Sequence, residues 1–285
     1  MRKIGLISNI TKDTDGSKTL EIVNSIEKHS LHVYLSSPLY KLIKKGIVCT
    51  DEEFYKQSDL ILVLGGDGTI LQTARKAAIN GKPILGINLG RMGYLAEAEI
   101  ADFEKTLESL IDGSYIIEER MMLEAKLKRQ GKVISHYLAL NDIAVAKGSF
   151  SRIIQLTAYI NDIMVNHYSA DGLLVSSPTG STAYSLSAGG PVIDPEMECL
   201  LMTPICPHTL SSRPIVTANS SKIDIVNKDK SSDVLITIDG QDGEELAYMD
   251  TVSISKAPCV TKLIKLNNRG FYTLLRNKLS ERPNN

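Results

Sequence analysis

The chain has 285 residues, a formal net charge of -1 and a hydrophobic content of 43%. This size allows two domains with a substantial core, and the balanced charge provides no global field that would recruit nucleic acid or a membrane surface. The four cysteines form no Cys-x-x-Cys pair, so we expect no zinc or redox motif and a reducing, cytoplasmic location. We expect no signal peptide, and no apolar run approaches the ~20 residues that cross a bilayer.

Up to residue 114 the sequence alternates strand-like and helix-like segments. In chain order the predicted elements are a strand over 3–8, a helix over 17–29, strands over 31–36 and 59–64, a helix over 69–80, a strand over 83–87 and a helix over 101–111. Such alternation predicts a parallel sheet with helices on its faces. We therefore expect a Rossmann-like α/β domain over residues 1–114.

The segments after residue 114 are mostly short, β-rich and separated by turns. Predicted strands cover 118–129, 132–146, 153–160, 163–168, 222–226, 234–238 and 251–256. Asn161-Asp162 has the length and composition of a two-residue hairpin turn. We expect an all-β, sandwich-like domain over 115–257. In the last segment, 258–285, a helix over 267–279 has Phe271, Leu274, Leu275 and Leu279 on one face and is expected to return to the first domain.

The most informative stretch is LILVLGGDGT, which ends at Thr69. Its apolar run predicts a strand buried on both faces, and Gly65, Gly66 and Gly68 allow a sharp turn and close ligand approach. The amides that open the next helix favour anions. Asp67 would repel phosphate unless it takes a proton from an acceptor or holds a metal ion, so the pattern favours phosphoryl transfer. A plain strand-to-helix turn is the alternative, whereas the P-loop and dinucleotide fingerprints are absent.

Three further stretches place polar residues beside apolar strands. Residues 171–191 contain more hydroxyl side chains than helix capping needs, which favours polar ligand recognition; Tyr184 could stack on a base or pack in a core. Asn141 and Asp142 interrupt an apolar strand, either at a strand end or as a pair that binds ribose hydroxyls. The turn over 239–243, taken alone, is typical of a hairpin.

A second glycine-containing loop and the histidines carry weaker signals. The loop over 88–93 places Asn88 at the end of a neighbouring strand, although a tight turn explains it equally well. His136, His167 and His208 share no ligand spacing, so we expect them to be structural rather than metal ligands.

Taken together and in this order, these stretches resemble the NAD kinases, in particular the bacterial type. The segment over 171–191 is the specific part of the resemblance, because diacylglycerol kinases, sphingosine kinases and phosphofructokinases share a similar glycine turn. Residues 88–95 and 207–214 are also similar to the family. The resemblance covers most of the chain and implies an α/β domain followed by a β-sandwich.

The resemblance implies transfer of a phosphoryl group from ATP, or from inorganic polyphosphate, to the 2′-hydroxyl of the adenosine ribose of NAD, which gives NADP. A divalent metal ion, Mg²⁺ or Mn²⁺, would accompany ATP without fixed protein ligands. The family's members are commonly homodimers or homotetramers. A lipid kinase built on the same glycine turn would need an apolar acceptor pocket, and a non-catalytic dinucleotide-sensing module would not need Asp67; both remain alternatives.

By the family's pattern Asp67 is the catalytic proton acceptor, and Gly65, Gly66, Gly68 and Thr69 form the phosphate loop. The residues implied for NAD binding are Asp67, Gly68, Asn141, Asp142, Arg152, Ser169, Asp171, Thr182, Ala183, Tyr184, Ser185, Leu186, Ser187 and Gln241.

Overall fold

The computed structural model describes residues 3–90, 93–148, 152–209, 211–230, 233–266 and 270–280. The chain forms two compact units, of which the first comprises 1–119 and 261–285 and the second 120–260. The sequence predicts boundaries at 114/115 and 257/258. In the structure the units divide at 119/120 and 260/261, within two long strands that cover Ile116–Arg129 and Thr251–Lys265. Arg91, Met92, Leu210 and Asn267, which belong to stretches discussed above, lie outside the described residues.

The first unit has the alternating order that the sequence predicts. Its elements are β1 (Lys3–Ser8), α1 (Ser17–Lys28), β2 (His32–Ser36), α2 (Ser37–Ile43), β3 (Ile47–Cys49), α3 (Asp51–Gln57), β4 (Leu60–Gly65), α4 (Asp67–Ile79), β5 (Pro83–Asn88), β6 (Ala98–Glu99) and α5 (Phe103–Asp112). The parallel strands lie in the order β5-β4-β1-β2-β3. Every residue of β4 is buried, as expected for a central strand covered on both faces.

The second unit is built from antiparallel strands. Its elements are β7 (Ile116–Arg129), β8 (Lys132–Ala139), β9 (Asp142–Lys147), β10 (Ile154–Ile160), β11 (Ile163–Ala170), β12 (Gly172–Ser176), α6 (Tyr184–Ser187), β13 (Cys199–Ile205), β14 (Ile215–Ala218), β15 (Ile223–Asn227), β16 (Val234–Ile238), β17 (Asp242–Glu245) and most of β18 (Thr251–Lys265).

Two sheets of the second unit enclose one apolar core. One sheet has the order β14-β13-β12-β9-β16-β17, and the other contains β11-β10-β15-β18 together with β7 and β8. Buried side chains from both sheets, among them Leu123, Leu156, Leu173 and Ile236, form a single cluster. The predicted α/β domain followed by a β-sandwich is therefore confirmed. The hairpin turn between β10 and β11 is also as predicted, since Asn161 and Asp162 both have positive φ, which a type I′ turn requires.

Two strand predictions were wrong, one because the strand is interrupted and the other because it is longer than predicted. The strand predicted over 132–146 is broken at Leu140 and Asn141, and β8 and β9 belong to different sheets. The strand predicted over 251–256 continues to Lys265; Pro258 within it is typical of a strand end rather than an interior. The helix α3 was missed although Thr50 and Glu53 form a capping box at its start.

The chain returns to the first unit through a strand. Lys262 and Leu263 of β18 pair in parallel with Pro83 and Ile84 of β5. The last helix, α7 (Phe271–Ser280), contains no buried residue, and Leu279 of its expected packing face is 62% exposed. The predicted helix exists, but β18 makes the buried contact. No helix in the described ranges has the length and apolarity needed to cross a membrane.

Candidate active site

The glycine turn stands where the central strand of the first unit ends. Gly65 is the last residue of β4, Gly66 is extended, and Asp67 opens the 13-residue helix α4. A Cβ on Gly65 would lie 2.6 Å from Oγ1 of Thr69, so the turn is tight against the first helical turn. Gly68 is exposed. The turn therefore presents helix-opening amides at the carboxyl end of a parallel sheet, the usual place for anionic ligands.

The carboxylate of Asp67 is held by the backbone of the loop that follows β5. It accepts the N–H of Tyr94 at 2.8 Å and the N–H of Leu95 at 3.1 Å. A Cβ on Gly93 would lie 2.1 Å from Oδ1 of Asp67, so only glycine admits the carboxylate here. A carboxylate has about four lone-pair sites. Two amide donors therefore fix its position and leave it able to accept a further proton.

Three other side chains surround this turn. Asn9 donates from Nδ2 to Oγ1 of Thr69 at 3.1 Å. Asn88 is the register partner of Gly65, and its side chain forms hydrogen bonds with the backbone of Gly90, which shapes the loop. Nζ of Lys12 lies 3.2 Å from the position of a Cβ on Gly66. Lys12 was not predicted from the sequence. It lies in the loop after β1, which pairs with β4, and this position could have indicated that it lies near the glycine turn.

In the second unit the Asn141–Asp142 turn is fixed by a carboxylate distant in sequence. Asp239 follows β16, and its carboxylate accepts the N–H groups of Leu140 at 3.2 Å, Asn141 at 2.7 Å and Asp142 at 3.1 Å. The backbone N–H of Asp239 donates to the carbonyl of Asp142 at 2.9 Å. These bonds take three donors out of any strand ladder, which explains why the predicted continuous strand breaks here.

The side chain of Asp142 is a buried acid. Burial, followed by the negative charge of Asp239, raises the pKa of Asp142 from 3.8 to about 7. Ser176 lies opposite Asp142 in the β9–β12 ladder, and its buried hydroxyl has no hydrogen-bond partner within the described part of the chain. Burial first, and then the nearby Cys206, Asp171 and Asp142, raise the pKa of the Tyr184 phenol. Tyr184 therefore lies close enough to Asp171 and Asp142 to interact with both electrostatically.

Much of the hydroxyl-rich segment stabilises its own conformation. Ser177 donates to the carbonyl of Leu140 at 2.5 Å, and Ser181 both donates to and accepts from the backbone of Ile193. Ser185 is fully buried, with its Oγ 3.0 Å from Oγ1 of Thr203. Three hydroxyls of the segment that the sequence assigned to ligand recognition therefore form hydrogen bonds within the protein.

The remaining predicted residues of the second unit are more accessible. Tyr184 is 45% exposed. Thr182, Ala183 and Leu186 are half-buried and Ser187 is exposed, in and just before α6. Asp171 forms an ion pair with Lys147 at 2.8 Å.

Three predicted residues lie in other elements of this unit. Ser169 is on β11, where its hydroxyl accepts from Nε2 of Gln155 at 3.0 Å. Gln241 is half-buried in the turn after β16, and Arg152 is exposed before β10.

No metal cage is formed by the described residues: they contain no group of three or more His, Cys, Asp or Glu side chains placed to hold an ion. His136 instead pairs with Glu124 at 2.8 Å, and His167 lies 2.8 Å from the hydroxyl of Thr157. Mg²⁺ is commonly bound through substrate phosphates rather than by an all-protein cage.

Comparisons with known proteins agree with this arrangement of elements. The N-terminal domain model of the ATP-NAD kinases matches residues 4–115, and the C-terminal domain model matches residues 140–266. The NAD kinase of Caldanaerobacter subterraneus subsp. tengcongensis is 45% identical over 285 residues, which cover 99% of this chain and 100% of the relative. The NAD kinase of Heliobacterium modesticaldum is 50% identical over 226 residues, which cover 79% and 80%.

Solved structures show the same fold. A yeast NADH kinase complexed with NADH has a TM-score of 0.89 at 25% identity, covering 100% of this chain and 90% of that chain. An NAD kinase from Archaeoglobus fulgidus in complex with ATP has a TM-score of 0.75 at 25% identity, covering 97% and 98%. Because both halves match one family, the lipid-kinase and sensor alternatives are set aside. The chain belongs to the NAD kinase family, the enzymes that phosphorylate NAD to NADP with ATP.

Proposed function

We propose that Asp67 is the general base that activates the 2′-hydroxyl of the adenosine ribose of NAD for attack on the terminal phosphate of ATP. A ribose hydroxyl is a poor nucleophile, and a positioned carboxylate can accept its proton as the new bond forms. The observation that carries this role is the two-amide clamp from Tyr94 and Leu95 on the Asp67 carboxylate. The clamp holds the base in one position without using all of its acceptor capacity.

The glycine turn would bind the transferred phosphate. Phosphoryl transfer depends mainly on alignment and on neutralising charge. Gly65, Gly66, Gly68 and Thr69 place backbone amides at the start of α4, and Lys12 adds an ammonium group beside Gly66. A divalent ion, Mg²⁺ or Mn²⁺, bound to the ATP phosphates would supply additional positive charge. The protein's own part is to hold the phosphate chain against the turn.

The second unit would bind the dinucleotide. We assign ribose hydroxyls to Asn141 and Asp142, and base or amide contacts to Tyr184 and Asp171, since these polar groups share one neighbourhood. The other residues retained in this proposal are Gly68, Arg152, Ser169, Thr182, Ala183, Leu186, Ser187 and Gln241. Ser185 would act indirectly, because its hydroxyl is buried against Thr203.

Replacement of the base tests the proposal. In Asp67→Asn the amide keeps nearly the same shape but cannot accept the hydroxyl proton, so kcat for NADP formation should fall by about 10²–10⁴-fold while the Kd for NAD stays near the wild-type value. The measurements are steady-state NADP production with ATP and Mg²⁺, and calorimetric titration with NAD.

Asp15→Asn is the matched control, because Asp15 is an exposed aspartate of the same unit that also accepts a backbone N–H, from Ser17 at 3.1 Å. Its kcat should equal that of the wild type. Wild-type turnover by Asp67→Asn would refute the role assigned to Asp67.

Three broader properties belong to the same proposal. Polyphosphate is proposed as an additional donor, tested by comparing kcat/KM with that for ATP. A homodimer or homotetramer is proposed from the family resemblance, with the start of the edge strand β11, where Ile163 and Met164 are 73% and 52% exposed, as a candidate contact. Sedimentation measures the assembly. The four cysteines are free thiols, which supports a reducing, cytoplasmic location.

A further inference from the structure

We propose that Asp239 is a positioning residue of the NAD site: its carboxylate shapes the turn that presents Asn141 and Asp142 to the dinucleotide, and its charge acts on the buried side chain of Asp142. This inference rests on the NAD-binding role proposed above for those two residues. Asp239 itself contacts the protein backbone and is 8% exposed, so its role is exerted through the turn.

The geometry of the turn depends on Asp239 at three successive residues. Its two carboxylate oxygens receive the N–H groups of Leu140, Asn141 and Asp142 at 3.2, 2.7 and 3.1 Å. Hydrogen bonds to an ionised acceptor are about twice as strong as neutral ones. Loss of that acceptor would leave these donors without this partner, and a buried donor left unsatisfied destabilises the conformation that contains it.

The segment over 177–180 packs against the side of the Asn141–Asp142 turn that faces away from Asp239. Ser177 donates its hydroxyl to the carbonyl of Leu140 and its N–H to the carbonyl of Asn141, at 2.5 and 2.9 Å. A Cβ on Gly180 would lie 2.1 Å from the carbonyl oxygen of Asn141. The turn is therefore held between the 177–180 segment and Asp239, whose two carboxylate oxygens accept the three N–H groups on its side.

The same carboxylate also acts electrostatically. Three N–H groups directed at Asp239 favour its ionised form, so the proton of this pair of acids belongs on Asp142. Burial first, and then the charge of Asp239, raise the pKa of Asp142 to about 7. The phenol of Tyr184 is also coupled to Asp142, and Asp171 and Cys206 act on the same phenol. An ionised Asp142 accepts ribose hydroxyl hydrogen bonds most strongly, so NAD should bind more tightly as pH rises through about 7.

The first experiment measures binding by Asp239→Asn in the full-length protein. The Kd for NAD should rise about tenfold or more, because the amide is a weaker acceptor that also presents N–H donors to the three backbone donors. The KM for ATP should remain within about twofold, since no ATP group is assigned to this turn. A change in both constants alike, or in neither, would overturn the positioning role.

Asp250→Asn is the matched control. Asp250 is a buried aspartate of the same unit that also accepts a backbone N–H, from Ala247 at 2.9 Å, and pairs with Arg129 rather than with the Asn141 turn. It should lower thermal stability while leaving the Kd for NAD within about twofold of the wild type. A rise in Kd equal to that of Asp239→Asn would show that any loss of a buried carboxylate in this unit weakens binding, and would overturn the inference.

The pH profile separates positioning from general stability. The midpoint of the NAD-binding profile should move to lower pH, by about one unit, in Asp239→Asn, because a like charge beside Asp142 has been removed. Asp239→Glu keeps the charge and should keep the wild-type midpoint even if its longer arm weakens binding. An unchanged midpoint in Asp239→Asn overturns the electrostatic part of the inference.

If Asp239→Asn does not fold, two other variants test the positioning role: Asp239→Glu, and Ser177→Ala, which loses one hydrogen bond to the turn. Both must raise the Kd for NAD, or the positioning role is overturned.

Failure of the underlying assignment has a different signature. If Asn141→Ala and Asp142→Asn both bind NAD like the wild type, the proposed NAD-binding role of the turn is wrong, whatever Asp239 does. If those two variants lose binding while Asp239→Asn does not, the role of the turn stands and only the inference about Asp239 fails.

Discussion

At the scale of single residues, Asp142, a proposed NAD-binding group, opposes folding when it is ionised. Its side chain is 4% exposed, and its pKa is raised from 3.8 to about 7 by burial and by Asp239. For an acid whose folded pKa is raised, the folded state binds more protons than the unfolded state, so the stability falls as pH rises. The penalty is absent below the unfolded pKa of 3.8 and complete above about 7.

Replacing this acid should therefore stabilise the protein. Asp142→Asn removes the buried charge, so the free energy of unfolding at pH 8 should increase by on the order of 1–4 kcal/mol, while the Kd for NAD rises. The gain should shrink as pH is lowered toward 5, because the wild-type side chain then becomes protonated. Denaturant titrations at several pH values measure this.

Asp162→Asn is the control for that measurement, since Asp162 is an exposed residue of a hairpin turn paired with Lys222. A gain in Asp142→Asn that did not depend on pH would contradict the charge-based explanation.

Some of these residues could be identified from the sequence and others could not. Asp67 could be located because glycines and a buried strand pattern adjoin it in the sequence. Asp239 could not be assigned its role, because its three backbone partners lie 97 to 99 positions away and an Asp-Gly pair after a strand is an ordinary turn signal. The pKa of Asp142 was likewise inaccessible, since it depends on burial and on that distant charge.

At the scale of elements, the loop after β5 holds the carboxylate of Asp67, the proposed general base. Gly93→Ala would place a methyl group 2.1 Å from Oδ1 of Asp67. Because the opposing atoms are the end of a side chain, the carboxylate should move away while the backbone keeps its course. We expect kcat to fall by about 10–100-fold with little change in the melting temperature.

Gly90→Ala is the matched control in the same loop, because a Cβ there meets no atom within 4 Å. Its kcat should equal that of the wild type. Equal losses in the two variants would show that the loop, rather than its contact with Asp67, limits turnover.

Some strands and helices could be predicted from the sequence and others could not. The five parallel strands of the first unit were predictable apart from the three-residue β3, since long apolar runs alternate with helical spacing. The break between β8 and β9 was not, because a distant carboxylate causes it. The sequence marks the hydroxyl-rich segment as unusual, whereas the hydrogen bonds of Ser177, Ser181 and Ser185 to the protein itself are seen only in the structure.

At the scale of the whole molecule, the end of β18 completes the first unit. Leu263 and Ile264 are 2% and 1% exposed, and Lys265 pairs with the buried Glu97 at 2.9 Å. Truncation after Val260 should therefore lower the stability of the first unit by about 3–6 kcal/mol from the two apolar side chains alone.

Truncation after Leu266 is the control. It removes α7, in which no described residue is buried, and should change the melting temperature by only a few degrees. Differential scanning calorimetry of both truncated chains compares them with the full chain. A loss of stability that arises entirely from removal of α7 would contradict the role assigned to the strand.

The parallel pairing of Lys262 and Leu263 with Pro83 and Ile84 has a consequence for synthesis. Strand β18 is synthesised long after β5, so the sheet of the first unit stays incomplete until residues 262 and 263 have been made. N-terminal units generally fold first as a chain emerges, but here an open strand edge, prone to pairing with other chains, persists on the ribosome. A stalled or clipped nascent chain would thus be exposed to aggregation through a segment that the finished enzyme keeps covered.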